Sequence, residues 1–190
     1  MIYLDFDASQ FPQRAQDDRA TDGGRWDAFR FVPVLLRIAG IDLIGRSTET
    51  DGAPVSRGLG LPLPEVALWG LAALHHVARN GRSAYDLNEH GAALLFKLNG
   101  DTLLVHSQWR GKTVQVPHAA LLAAWEEFDR RVRQFLIETF GNLSDYPWWN
   151  PTMDAWLHGR LAVARMDAPA AAMMNFNYNE DYFALVDAVD

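Results

Sequence analysis

At 190 residues, with 49% hydrophobic and 22% charged side chains, the chain can build one sizeable core but hardly two, and its composition lies far from that of a disordered chain. A net charge of −7 argues against a nucleic-acid binder, which needs Lys and Arg to neutralise phosphates, and favours a basic protein as any macromolecular partner. Cysteine is absent, which removes disulfides, thiolate metal sites and a cysteine nucleophile.

In chain order, Ile2 to Phe6 alternate in polarity and read as a strand. The acids Asp5 and Asp7 stand where a signal peptide needs a basic segment, and no apolar stretch approaches the ~20 residues of a membrane span, so a cytoplasmic protein with no membrane partner is expected. Residues 10–24 form a polar connection. Residues 29–38 and 41–44 read as strands joined at Ala39-Gly40, with Pro33 better suited to an edge or a bulge than to a central strand. The stretch 46–62, rich in Gly, Ser, Thr and Pro, reads as a loop, and Gly58-Leu59-Gly60 within it as a flexible turn without the third glycine of a dinucleotide fingerprint. Pro64-Glu65 then opens a helix through Leu68, Leu71 and Leu74 that closes at Asn80-Gly81.

Asn99-Gly100 between two apolar runs predicts a β-hairpin with a type I′ turn. Pairing outward from that turn sets Phe96 opposite Leu103, Leu94 opposite Val105 and Lys97 opposite Thr102, which leaves one face apolar. A turn at Arg110-Gly111-Lys112 leads to a third strand over Thr113 to Val116, stopped by Pro117. Leu121, Leu122, Trp125, Phe128, Val132, Phe135, Leu136 and Phe140 recur at helical spacing up to Gly141-Asn142. The opposite face carries Glu126 and Arg130, Glu127 and Arg131, and Asp129 and Arg133, which at i,i+4 read as a solvated helix surface. Asn150-Pro151 caps a last helix expected to run through Met153, Trp156, Leu157, Leu161 and Val163. The fold class expected is α+β: an antiparallel meander packed against several amphipathic helices in a single domain over 1–190, with an accessory C-terminal arm at 167–190.

Motifs for chemistry are thin. Gly111-Lys112-Thr113 resembles the end of a P-loop, but His106 stands where its first glycine belongs and the surroundings read as strand-turn-strand. His75 and His76 are adjacent on a helix and point apart, and Asp154 with His158 lacks a second pair of ligands, so no metal site is expected. No serine sits in a nucleophile elbow, and carboxylate pairs such as Asp5 with Asp7 would act as acid and base only inside a cleft. No catalytic residue and no cofactor are therefore assigned.

Two aromatic groups remain. Tyr146-Pro147-Trp148-Trp149 puts large rings in a helix connection, and Tyr178, Glu180, Asp181 and Tyr182 combine aromatic and acidic side chains in the arm. Trp148, Trp149, Tyr178, Glu180, Asp181 and Tyr182 are the candidate partner-binding residues. The alanine-rich helix, the meander ending in Val114-Gln115-Val116-Pro117, the helix with Leu121-Leu122-Ala123-Ala124-Trp125-Glu126-Glu127-Phe128 and the Trp148-Trp149 end resemble the small bacterial immunity proteins of polymorphic-toxin systems over residues 63–149, in pattern and without a family-specific motif. That resemblance implies a non-catalytic, acidic, cytoplasmic protein that binds and neutralises a cognate toxin. The alternative is an enzyme or small-ligand-binding protein of bacterial metabolism.

Overall fold

The computed structural model describes residues 1–9, 32–50, 53–57, 59–86, 93–140, 143 and 149–166. Its elements are β1 (Ile2–Phe6), β2 (Val32–Ile38), β3 (Ile41–Ile44), β4 (Arg46–Thr50), β5 (Ala53–Arg57), β6 (Leu59–Leu61), α1 (Leu63–Asn80), β7 (Arg82–Asp86), β8 (Ala93–Asn99), β9 (Thr102–Ser107), β10 (Lys112–Pro117), α2 (His118–Phe140) and α3 (Pro151–Leu157), followed by a 3-10 turn at Val163–Arg165. Two four-stranded antiparallel sheets and the separate hairpin β4–β5 accompany the helices, and the fold is α+β. Among the described residues no helix is long and apolar enough to cross a membrane.

In the first sheet β2 is central, with β1 on one side and β3 and β6 sharing the other. The turn from β2 to β3 falls at Ala39-Gly40, where both residues have positive φ (50° and 83°), as a type I′ turn demands. Pro33 contradicts its expected edge position, since it lies in this central strand opposite Gly60. The reason is local. A residue in an antiparallel strand directs its N–H and C=O to the same side, and the Pro33 carbonyl accepts from Asp7 N–H at 2.9 Å. The missing N–H therefore faces the point just beyond Phe6 where β1 ends, and a single terminal rung is lost.

The expected loop at 46–62 is overturned. β4 and β5 pair from Arg46↔Arg57 to Thr50↔Ala53, which leaves only Asp51-Gly52 between them, a hairpin signal that the polar composition masked. Leu59 and Gly60, read as a flexible turn, belong to β6. Their strand character comes from pairing with β2, not from local propensity.

The second sheet has the order β10-β9-β8-β7. Its hairpin forms where expected but in a different register: Asn99 pairs with Thr102, Leu98 with Leu103 and Phe96 with Val105. Gly100 has φ 58° and Asp101 does not share the positive φ, which rules out the type I′ turn and fits the Gly-first type II′. Because the pairing moves by two residues, the faces are preserved, and Leu94, Phe96, Leu103 and Val105 all enter the core. β7 went unrecognised in the sequence; Arg82–Asp86 is short, and it is a strand because α1 delivers it to the side of β8. Ser107 Oγ, fully buried, donates to Leu43 O at 2.7 Å and ties the end of β9 to β3 of the first sheet.

The first two thirds of α1 are buried almost all round, as befits a helix inside the layers. The helix ends on Gly81 at φ 75°, whose N–H reaches Val77 O. α2 buries Leu121, Trp125, Phe128, Val132 and Leu136 on one stripe. The two helices touch at Gly70, where an added Cβ would stand 2.0 Å from Trp125 Cζ2. α3 starts as expected, with Asn150 Oδ1 accepting from Met153 N–H at 3.0 Å. It stops sooner than expected: Gly159 turns the chain at φ 67°, and Leu161 and Val163 lie beyond the helix. The helix stop at Gly141-Asn142 and the polar connection at 10–24 lie outside the described residues.

The contact between Gly70 and Trp125 sets a stability expectation. Gly70→Ala gains helix propensity of about 1 kcal/mol yet forces the rigid indole or a helix axis to move, an overpacking cost of about 1–3 kcal/mol or more. A net loss of stability in urea unfolding is expected; a Gly70→Ala variant as stable as the parent would show that the two helices slide apart freely.

Candidate functional site: the helix-end surface around Trp149

Of the six candidate partner residues, Trp149 is within the described residues. Trp148, Tyr178, Glu180, Asp181 and Tyr182 lie outside them, as does the arm at 167–190. Trp149 precedes the Asn150 cap of α3, packs half-buried against the main core, and its Nε1–H is enclosed with no hydrogen-bond partner among the described residues. Its ring thus closes the core at the helix connection and turns only part of its surface outward.

What holds α3, and with it Trp149, is a charge on α2. Asp129 accepts from Trp156 Nε1 at 2.6 Å and from Arg133 Nε at 2.9 Å, and it is only 4% exposed. Burial holds the Asp129 carboxyl above the usual carboxylate range, while the Trp156 bond and the Arg133 guanidinium pull it back. The solvated face expected on α2 is corrected here. Asp129 lies between two helices. Arg131, half-buried and still 3.9 Å from Glu127, turns toward β1, donating to Asp5 Oδ1 and Leu4 O, both at 2.7 Å, and covering the Phe6 ring at 6.0 Å. Only Glu127 and Arg130, paired at 2.6 Å and both more than half exposed, behave as a solvated pair. Sequence spacing cannot distinguish these cases, because an i,i+4 acid-base pair looks the same whether water or another helix lies opposite.

The chain then passes the 3-10 turn and reaches Met166, the last described residue. Arg79, in the last turn of α1, donates to the carbonyl oxygens of Ala164 and Met166. Residues 164–166 are therefore held at the C-terminal end of α1, near the Gly81 corner that enters β7.

Side chains weighed for chemistry serve the scaffold. His118 Nε2 meets Leu74 O at 3.0 Å, and His106 Nδ1 meets Thr113 Oγ1 at 2.8 Å, with burial pushing the His106 ring below its ordinary value. His75 and His76 do point apart: burial depresses His75, which feels Glu126, Arg79 and His118, while His76 meets the Asn80 amide on its own helix. Asp154 binds His158 at 3.6 Å and Arg160. Asp5 accepts from Tyr3 Oη at 2.8 Å besides Arg131, and Asp7 accepts from Ser9 N–H at 2.9 Å. Gly111-Lys112-Thr113 forms the turn into β10 and the start of that strand. Among the described residues no three His, Asp or Glu side chains come together as metal ligands. No family model, curated protein or solved structure matches the chain.

Two outcomes follow for the acids. Asp129→Ala strands the Trp156 N–H and the Arg133 guanidinium and is expected to cost about 2–3 kcal/mol in urea unfolding, whereas Asp129→Asn keeps an acceptor for Trp156 and loses less. The pH signs of Asp129 and Asp5 are opposite. Asp129, raised, contributes stability that is full below the ordinary value of 3.8 and fades as pH rises through its folded-state value. For Asp5, burial pushes upward, but Arg131, Tyr3 and the Phe6 N–H outweigh it and lower the group, so its stabilisation is present above 3.8 and is lost as pH falls through its folded-state value. Unfolding measured across acidic pH should show Asp5→Asn flattening the acid-side loss and Asp129→Asn flattening the decline above it; unchanged profiles in both would mean that neither carboxyl titrates differently on folding.

Proposed function

We propose that this protein is a non-catalytic binding protein that captures a basic protein partner, and that the partner is a toxin it neutralises, as the resemblance to bacterial immunity proteins implies. The observation that carries this reading is where the charge sits. Asp167, Glu180, Asp181, Asp187 and Asp190 supply five negative charges against a net charge of −7 for the whole chain, and residues 167–190 contain no Lys or Arg. Such a concentration of one sign steers a basic partner toward one place and speeds its association. Tyr178 and Tyr182 flank the acids with rings of the kind that anchor interfaces, and Trp149 adds a partly exposed indole on the described side.

Support also comes from the interior. Ser107, His106 and Asp129, buried groups of the types that elsewhere act as nucleophile, base or acid, are each bonded to a neighbouring element. The fold uses them as fasteners, which suits a rigid platform presenting a surface.

The test is co-expression of the chain with the product of the gene directly upstream, reading cell growth and recovery of a purified complex. Rescue of growth with a stable complex is the expected outcome. Glu180→Lys with Asp181→Lys should then lower the association rate by about 10-fold at low salt and by less at high salt. Growth rescue by a catalysed change in the toxin, with no complex formed, would sink the binding reading.

A further inference from the structure

β1 is an outer strand of the first sheet: β2 lies on one side of it, and among the described residues no strand lies on the other. An open strand edge is a template for pairing with another chain, because its N–H and C=O groups can continue the ladder. Which groups face that edge follows from the register. Met1 O accepts from Ala39 N–H and Asp7 N–H reaches Pro33 O, so the odd-numbered residues turn their backbone groups toward β2. A residue in an antiparallel strand directs its N–H and C=O to the same side, and the backbone groups of Ile2, Leu4 and Phe6 therefore point outward.

Outward groups of Leu4 and Phe6 are already occupied, and by one pair of charged side chains. Arg131 donates from Nη2 to Leu4 O at 2.7 Å, and Asp5 Oδ1 accepts from Phe6 N–H at 2.9 Å. The same Asp5 oxygen accepts from Arg131 Nη1 at 2.7 Å, which closes a ring of bonds along the edge. Tyr3 Oη donates to the other carboxylate oxygen of Asp5 at 2.8 Å and steadies it. Arg131 and Asp5 are each 35% exposed, and an ion pair so open to water adds little stability. Its position on the strand backbone points to another use.

We propose that Arg131 and Asp5 form an edge guard that keeps β1 closed to strand addition, and that the strand they exclude is β1 of a second copy of this chain. The sequence of β1 is complementary to itself. Antiparallel pairing about a two-fold axis at Leu4 sets Leu4 opposite Leu4, Ile2 opposite Phe6 and Tyr3 opposite Asp5 of the second copy. The backbone groups such a ladder would join are the outward ones of Ile2, Leu4 and Phe6. Ile2, Leu4 and Phe6, which pack with the main core, would share one face of the ladder. On the other face Tyr3 would meet, across the axis, the carboxylate type it already bonds within its own strand. Leu4 O and Phe6 N–H each belong to a rung of this ladder, so the guard and a second strand compete for the same atoms. The guard does not depend on which partner the protein captures.

The test is the oligomeric state of the full chain, read by sedimentation equilibrium up to about 0.3 mM, a range that populates even weak dimers. The parent should stay monomeric, while Arg131→Ala and Asp5→Ala should each self-associate, with the mass rising toward twice the monomer value. Adding Ile2→Pro to either variant should reverse this, because the N–H it removes points outward and the ladder with β2 is kept. Folded variants that remain monomeric, association that survives Ile2→Pro, or a parent that already associates would overturn the proposal. Amide exchange in the parent decides the matter even if neither variant folds. The Phe6 amide, although on the open edge, should exchange about 10-fold more slowly than that of Ile2, and equal rates count against the guard.

Discussion

The contact between Trp125 and Gly70 is the constraint on which the rest of the structure depends. Trp125 is fully buried, donates its Nε1–H to Val66 O at 3.1 Å, and lies so close over Gly70 that no side chain fits between the helices. Its ring meets Tyr85 of the second sheet at 6.4 Å and Phe128 at 6.4 Å, both edge-on; Phe128 in turn meets Phe6 of the first sheet at 5.9 Å. One line of rings thus runs from sheet to sheet through α2, in the edge-to-face geometry that the ring quadrupoles favour. With the helix separation set by Gly70, the placement of both sheets relative to α2 follows from that line.

Charged groups then complete what the rings begin. Arg131 fastens β1 to α2 through Asp5 and the Leu4 carbonyl, and Asp129 fastens α3 to α2 through Trp156. Both use a residue of the polar side of α2, and in both a neighbouring element covers part of that side. A buried acid with a bonded indole and guanidinium confers direction more than net stability, because desolvation offsets much of the attraction. The location of α3 is therefore set by one geometry, and Trp149, next to its cap, inherits it.

The functional reading grows from this division of labour. Buried Ser107 and Asp129 are bonded to neighbouring elements, and five of the acids lie in the sequence beyond Met166 without a Lys or Arg among them. The acids and rings at 178–182 are of the residue types on which the proposed recognition by charge and ring contacts depends.

The amino-acid sequence by itself determined the features that short-range chemistry governs. The Asn150-Pro151 cap, the Gly81 stop, the Ala39-Gly40 turn and the apolar stripe of α2 follow from local φ preferences, capping and periodicity, and all are found where the residues place them. It also determined which face of the β8–β9 hairpin is apolar, since a shift of two residues cannot exchange the faces. Tertiary structure decided what depends on a neighbour distant in the chain. β6 and β7 are strands because β2 and β8 lie alongside, Pro33 is tolerated in a central strand because β1 ends beside it, and Asp129 is buried because Trp156 arrives above it. For the candidate surface, the sequence marked the rings and acids, while only the packing of α3 on α2 determined how much of Trp149 turns outward. Local preference is encoded within a few residues; burial is encoded by what the remainder of the chain brings near.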